Sequence, residues 1–207
     1  MRDGPQLNIL TEAETRAVYD SLYRRAFPPM ELRPYDSIRE MTAAGVYRTL
    51  VLAEGGEPLC YASVWDGEGG FSLLDYLVSP PERRGRGGGG AMLRALAARL
   101  GPEDALVIES EAPTGRPEAD VLIRRRLAFY RRCGARELGY DAGVFGVRYR
   151  LLYLSPAEQE GEVLLGRYRA LYRSRTPLWL WKLAFRIPVA AGEELPSFAE
   201  WKEERKR

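Results

Sequence analysis

The hydrophobic pattern divides the chain into short strand-like runs and stretches of helical spacing. Leu7 to Leu10 reads as a first strand. Thr11-Glu12-Ala13-Glu14 is a capping box, in which threonine and a glutamate three residues on satisfy each other's backbone N–H groups. It opens a helix whose apolar positions include Val18 and Leu22, and which Pro28 and Pro29 end. A shorter helical segment follows over Tyr35 to Ala44. Tyr47 to Glu54 and Leu59 to Trp65 read as strands joined across Gly55-Gly56, a pair suited to the positive φ angles of a tight hairpin turn. Gly67 to Gly70 turns the chain again into an apolar run, Phe71 to Val78, so that three strands form an antiparallel meander.

Pro80 and Pro81 stop that run, and Ala91 to Leu100 carries helical spacing, which leaves the arginines and glycines between them as a strand-to-helix loop. Ala105 to Ser110 is another short apolar strand. A polar loop around Pro113 to Pro117 leads into a helix from about Glu118 to Cys133, closed by Gly134. Arg136 to Tyr140 and Val144 to Leu154 read as a closing hairpin. Beyond Ser155, Glu162 to Arg173 places Leu164, Tyr168, Leu171 and Tyr172 on one helical face. Thr176-Pro177 opens a second helical stretch with Trp179, Trp181 and Phe185, and Ser197-Phe198-Ala199-Glu200 caps a third. The order β-α-α-β-β-β-α-β-α-β-β predicts an α+β fold: a mixed, mostly antiparallel sheet flanked by helices, with a C-terminal helical extension.

The loop between the third strand and its helix carries the chemistry. Glycines let the N–H groups of a helix's first turn converge on a phosphate with no Cβ in the way, and the helix dipole adds roughly half a positive charge there. Gly87 to Gly90 would each sacrifice up to about 1 kcal/mol against alanine inside a helix, which suggests a backbone that something approaches closely. Gly85-x-Gly87-x-x-Gly90 also satisfies the dinucleotide fingerprint, with Glu109 about 20 residues on in the place of a ribose-binding acid. That reading is outweighed, because Ser79 to Arg84 intervene between strand and first glycine and the preceding strands look like hairpins.

The run Arg84-Gly85-Arg86-Gly87-Gly88-Gly89, entered from a strand ending in Leu77-Val78, resembles the acyl-coenzyme A pyrophosphate loop of the GNAT N-acetyltransferase superfamily. Downstream, Phe129-Tyr130-Arg131-Arg132-Cys133-Gly134-Ala135 is similar to the family's F-Y-x-x-x-G-F ending of the next helix. The resemblance covers roughly Leu7 to Leu154. It implies an acyltransferase domain over residues 1–154; outside it, the run Leu178 to Phe185 is too short to span a bilayer and too apolar to be left in water, so 155–207 reads as a helical extension packed on that domain or on a second subunit, as in a homodimer. The resemblance also implies acetyl-CoA held mostly by main chain, by Leu77, Val78 and Ser79 and by Arg84, Gly85, Arg86, Gly87, Gly88, Gly89 and Gly90. The acceptor would be an amine of a small molecule or peptide, attacking the thioester directly in a ternary complex. Backbone N–H groups near Val78 would stabilise the resulting oxyanion. Tyr130 occupies the general-acid position beside the departing thiolate. The chain departs from the family by carrying Ile123 and Arg126 where an asparagine and a small residue are common, and glycine at 88 and 90.

The base is less defined. Histidine is absent, which excludes Ser-His-Asp triads, Cys-His pairs and histidine zinc sites together. Asp75 on the loop strand, and Glu109 and Glu111, which alternation puts on one face of the next strand, are the candidates, alongside a water relay. Arg124, Arg125, Arg126, Arg131 and Arg132 crowd the nearby helix, so an ion pair competes with a catalytic role for each acid. A catalytically silent acyl-CoA-binding module is the alternative to an enzyme. Nucleic-acid binding by the arginine-rich helix is disfavoured by a net charge of only +2 and by the interspersed Leu127, Phe129 and Tyr130. A chain of 207 residues buries roughly 70% of its unfolded surface without staples. Its 2 cysteines, Cys60 and Cys133, lack metal-ligand spacing and read as reduced thiols. No apolar run approaches the ~18 residues of a membrane span, and the first residues lack a signal-peptide core, so a cytoplasmic location is expected.

Overall fold

The computed structural model describes residues 4–29, 31–190 and 192–195; the helix expected from Ser197 lies outside the described residues. The chain divides into two compact units, residues 1–67 with 72–99, and residues 68–71 with 100–207.

In the first unit, β1 (Gln6–Ile9), β2 (Tyr47–Glu54), β3 (Glu57–Asp66) and β4 (Phe71–Val78) form an antiparallel meander in that order. Gly55 and Gly56 turn the β2–β3 hairpin at φ of 58° and 81°. The capping box forms as the sequence predicts: Thr11 Oγ1 accepts from the Glu14 N–H, and the Glu14 carboxylate accepts from the Thr11 N–H at 2.8 Å. The helix it opens, α1 (Glu12–Val18), widens into a π-helical turn over Tyr19–Tyr23 before α2 (Arg24–Ala26). Aromatic side chains four apart use that turn. Tyr19 donates to the Arg33 carbonyl, and the Tyr23 hydroxyl bonds the Ser63 hydroxyl inside the core, both at 2.9 Å. A periodicity argument built on 3.6 residues per turn has no means of seeing such a turn. After α3 (Tyr35–Ala43) and the meander, a 3₁₀ turn, Pro81–Arg83, leads to α4 (Gly88–Ala97). Tyr23, Tyr47, Leu50, Leu52, Trp65 and Met92 are among the fully buried side chains of this unit.

In the second unit, β5 (Ala105–Glu111), α5 (Pro117–Arg132), β6 (Arg136–Val144), β7 (Val147–Leu154), α6 (Gly161–Ser174), α7 (Leu178–Ala184) and β8 (Phe185–Arg186) follow along the chain. The strands pair antiparallel in the order β5-β7-β6-β8. The α6 face predicted from spacing, Leu164, Tyr168, Leu171 and Tyr172, is buried. The next stretch differs from its expectation. The helix ends at Ala184, and Phe185 turns extended to pair with Val144 at the edge of the sheet. Burial of the Phe185 ring against Tyr172, at 5.2 Å between centroids, overrides the helical spacing. The fold class is therefore the expected one, α+β with mostly antiparallel strands flanked by helices. Among the described residues no helix is long and apolar enough to cross a membrane.

The loop before α5 is held by Asp120, whose side chain is wholly buried. One carboxylate oxygen accepts from the Thr114 N–H at 2.8 Å and the Thr114 hydroxyl at 2.9 Å, the other from the Gly115 N–H at 3.1 Å. The Thr114 backbone bond is the largest of the influences that hold this carboxyl below the ordinary aspartate range. A depressed carboxylate contributes stability above its unfolded pKa, about 3.9, and that contribution is lost as pH falls through the lower folded value. Asp120→Asn is expected to lower the melting temperature at neutral pH, and the gap to the parent should close as pH drops below about 4. Parallel melting curves across that range would refute the assignment.

Candidate functional site

The strand-to-helix loop lies wholly in the first unit. Leu77 and Ser79 are half-buried and Val78 is buried at the end of β4. The Val78 carbonyl accepts from the Cys60 thiol at 3.4 Å, and burial pushes that thiol up to about 11. Arg84, Gly85, Arg86 and Gly87 are exposed. Gly85 and Gly87 take φ of 75° and 83°, the left-handed region that a side chain disfavours, and Gly87 is the N-cap of α4.

The helix starts at Gly88, three residues earlier than its apolar spacing suggests, so Gly88, Gly89 and Gly90 form its first turn. Its first N–H to carbonyl bond runs from Ala91 to Gly87 at 3.0 Å. The amides of Gly88, Gly89 and Gly90 thus precede any acceptor within the helix, as an anion cradle requires. Glycine at 88 has a local cause. A Cβ there would sit 2.5 Å from the Leu59 carbonyl oxygen of β3 and 3.3 Å from the Ser79 hydroxyl oxygen. Backbone cannot yield as a flexible side chain can, so Gly88→Ala is expected to cost about 1–3 kcal/mol, read as a lowered midpoint in urea. An unchanged midpoint would show that α4 slides freely on β3.

Asp75 also belongs to the first unit and is committed to neighbours. Its carboxylate accepts from the Tyr47 hydroxyl at 2.6 Å and from Arg33 Nε at 3.2 Å, with its side chain 11% exposed. Burial, followed by the charge of Asp75, drives the Tyr47 hydroxyl well above its usual pKa. The Arg33 guanidinium lies over the Trp65 ring at 4.8 Å. Tyr76 accepts from the Arg33 N–H at 2.7 Å and donates to the Glu31 carbonyl at 2.9 Å. Asp75 thereby ties the segment before α3 to β4.

The remaining predicted residues are in the second unit. Glu109 and Glu111 project from one face of β5, with Ser110 buried between them. One carboxylate oxygen of Glu109 accepts from both the Tyr168 and the Tyr172 hydroxyls of α6, the latter at 2.7 Å. Burial, and then the Glu109 charge, pushes the Tyr168 hydroxyl well above its ordinary value. Glu111 pairs with Arg126 at 2.8 Å, which gives that departure from the family pattern a local role. Tyr130 sits in the last turn of α5, 7% exposed, its ring 5.2 Å from that of Phe129. Its carbonyl accepts from the Cys133 and Ala135 N–H groups as Gly134, at φ 92°, closes the helix. Ile123, the other departure, is buried on the same helical face as Leu127 and Tyr130, while Arg124, Arg125, Arg131 and Arg132 are exposed. The sequence reading gave Arg33, Tyr47, Tyr168 and Tyr172 no functional role. Only the pair on α6, buried and four residues apart, left a signal, and that signal read as packing.

A depression of about 420 Å³ on β6 and β7 is lined by Glu137, Tyr140, Asp141, Arg148 and Arg150 among others. Its arginines are paired with its acids, Arg150 to Asp141 at 2.6 Å and Arg148 to Asp141 at 3.1 Å. None of the predicted site residues lines it.

No family model matches the chain, and no curated protein matches it in sequence. Solved structures do. A protein described as a GNAT-family acetyltransferase from Bacteroides thetaiotaomicron is 22% identical with a TM-score of 0.64, over 79% of this chain and 94% of that one. The GNAT-like decarboxylase GphF, in complex with isobutyryl-CoA, is 16% identical with a TM-score of 0.56, over 72% and 98%. An acetyltransferase from Bacillus subtilis, in complex with CoA, is 13% identical with a TM-score of 0.51, over 74% and 99%. At these identities the likeness establishes the fold.

Proposed function

We propose that this chain, which has the GNAT fold, is an acyl-CoA-dependent acyltransferase that moves an acetyl or related acyl group to a primary amine of a small molecule or peptide. The observation that carries this is the start of α4: three successive glycine amides without helical acceptors, preceded by left-handed Gly85 and Gly87, with exposed Arg84 and Arg86 beside them. A pyrophosphate fits that cradle by charge and by the absence of side chains. Two structures of the same fold hold CoA or an acyl-CoA, which supports the same ligand here.

Acyl-CoA supplies an activated thioester. In the first unit, Leu77, Val78 and Ser79 of β4 and the loop Arg84 to Gly90 are the residues proposed to hold it; in the second, Tyr130 is proposed as the acid for the leaving sulfur and Glu109 as the acceptor of the amine proton. Asp75 and Glu111 are each bonded by an arginine, and Glu109 is taken as the acceptor because neutral hydroxyls, which leave its charge in place, bond one of its oxygens. A lysine-like amine of pKa about 10.4 needs about 4–5 kcal/mol to lose its proton at neutral pH, whereas an α-amine near 8 needs only about 1–1.4. A carboxylate base therefore suits an acceptor of the second kind better. Residues 1–154 are read as the transferase domain and 155–207 as its extension, and the reduced thiols suit the cytoplasm.

Calorimetry tests the ligand. CoA is expected to bind the parent, and Gly87→Val and Gly89→Val are each expected to weaken it by ~10² or more, with melting temperature as the control for folding. Unchanged affinity in both variants, or tight binding of NADH in place of CoA, would overturn the assignment. Thiol release from acetyl-CoA across a panel of amines separates an enzyme from a silent binding module.

A further inference from the structure

We infer that Tyr168 and Tyr172 of α6 are positioning residues for acyl transfer: both hydroxyls converge on one oxygen of Glu109 and set that carboxylate as the proton acceptor, so the C-terminal extension completes the site. The inference rests on the acyltransferase reading and goes beyond it, because the family resemblance ends at Leu154, before either tyrosine.

The geometry is specific. Residues four apart on a helix share a face. The two rings meet edge to face with centroids 5.2 Å apart, and their hydroxyls reach the same Glu109 Oε1 from a helix that starts 52 residues further along the chain. Tyr168 is 0% exposed and Tyr172 6%. A helix that needed only to pack would bury leucine or phenylalanine here without the cost of removing two hydroxyls from water. Bonds from hydroxyl to carboxylate are among the stronger hydrogen bonds in proteins, and two on one oxygen fix a side chain with three rotatable bonds. Hydrogen bonds to the ionised form also keep a carboxyl ionised, which is what a base must be before it acts. Leu151 pairs in register with Glu109, Arg150, in register with Ser110, is taken by Asp141, and Tyr149, in register with Glu111, is near enough to Tyr168 to add to the upward push on its hydroxyl.

In the step so arranged, the amine nitrogen forms a bond to the acyl carbon while its proton passes to the Glu109 carboxylate. The carbon–sulfur bond breaks with its electron pair on sulfur, which takes a proton from Tyr130. Solvent returns the proton gained by Glu109 to Tyr130, so the products are an amide and free CoA thiol with no net proton change.

The test compares Tyr168→Phe, Tyr172→Phe and the double variant of the full chain, each also made in a Glu109→Gln background. Thiol release from acetyl-CoA is followed between pH 6 and 9 with a polyamine, a lysine peptide and a peptide α-amine as acceptors, and without amine for transfer to water. The double variant is expected to lose about 10-fold or more in kcat with the acetyl-CoA KM within about 3-fold, a share of the ~10²–10⁴ that general acid–base catalysis contributes. The acid limb of its kcat/KM profile should move to higher pH, and the loss should vanish in the Glu109→Gln background, as it must for residues acting through one carboxylate. Parent-like kcat and pH profile with only a lowered melting temperature, or a loss that persists in that background, would overturn the inference and leave the acyltransferase reading standing. A parent that binds no CoA and releases no thiol in any assay overturns both.

Discussion

Replacing Tyr130 by phenylalanine is expected to lower turnover by ~10² or more while CoA affinity stays within a few-fold, since a general acid typically contributes that much. The substitution isolates the hydroxyl. Tyr130 packs by its ring in the last turn of α5, and phenylalanine keeps the ring, so the helix end that Gly134 closes should persist. Melting temperature is the control: at this chain length 1 kcal/mol corresponds to roughly 2–4 °C, and a shift beyond that would mark a packing role instead. If the tyrosine protonates the departing sulfur, its removal should hurt least with thioesters whose thiol is more acidic. Full turnover across the pH range would remove Tyr130 from the mechanism.

The second large effect belongs to the region beyond Leu154. A chain cut there is expected to lose its fold and to be recovered as aggregate. Leu164, Tyr168, Leu171, Tyr172, Phe185, Ile187 and Val189 are all buried, and β8 extends the sheet by pairing Val144 with Phe185. At about 1.5–3 kcal/mol for each large apolar side chain, their burial is worth on the order of 10 kcal/mol, comparable to the 5–15 kcal/mol that holds a whole domain folded. The surfaces they leave, chiefly the face of β6 and an unpaired edge, would favour association between chains. Size-exclusion chromatography and thermal melting decide it. A monomeric product with the parent's melting temperature would mean that α6, α7 and β8 are dispensable.

How much of this was legible beforehand varies with the physics of each element. Phe71 to Val78 and Tyr47 to Glu54 were readable to the residue, because proline or paired glycines bound each run. The α4 boundary was not, since three glycines argue against helix by propensity, and the lack of room for a Cβ beside the Leu59 carbonyl, which accounts for Gly88, lies in another strand. The anion loop and Tyr130 were legible because spacing along one segment defines them. Asp75 and Glu109 could be named as acids, yet their partners Arg33, Tyr47, Tyr168 and Tyr172 lie 28 to 63 residues away in sequence, a separation that local pattern does not report. The arginines of α5 were expected to compete for the nearby acids. Arg126 does so with Glu111, and the more distant Arg33 does so with Asp75.

The buried thiol of Cys60 has a practical bearing on the thiol-release assays proposed above. A sulfur enclosed between β3 and the Val78 carbonyl, and protonated to about pH 11, is a poor nucleophile towards the aromatic disulfides used to detect free CoA. Cys133, the other cysteine of the chain, is only partly buried, so native protein should contribute at most about one equivalent of colour of its own, and unfolded protein two. The reagent that counts product then doubles as a gauge of how much of each variant is folded.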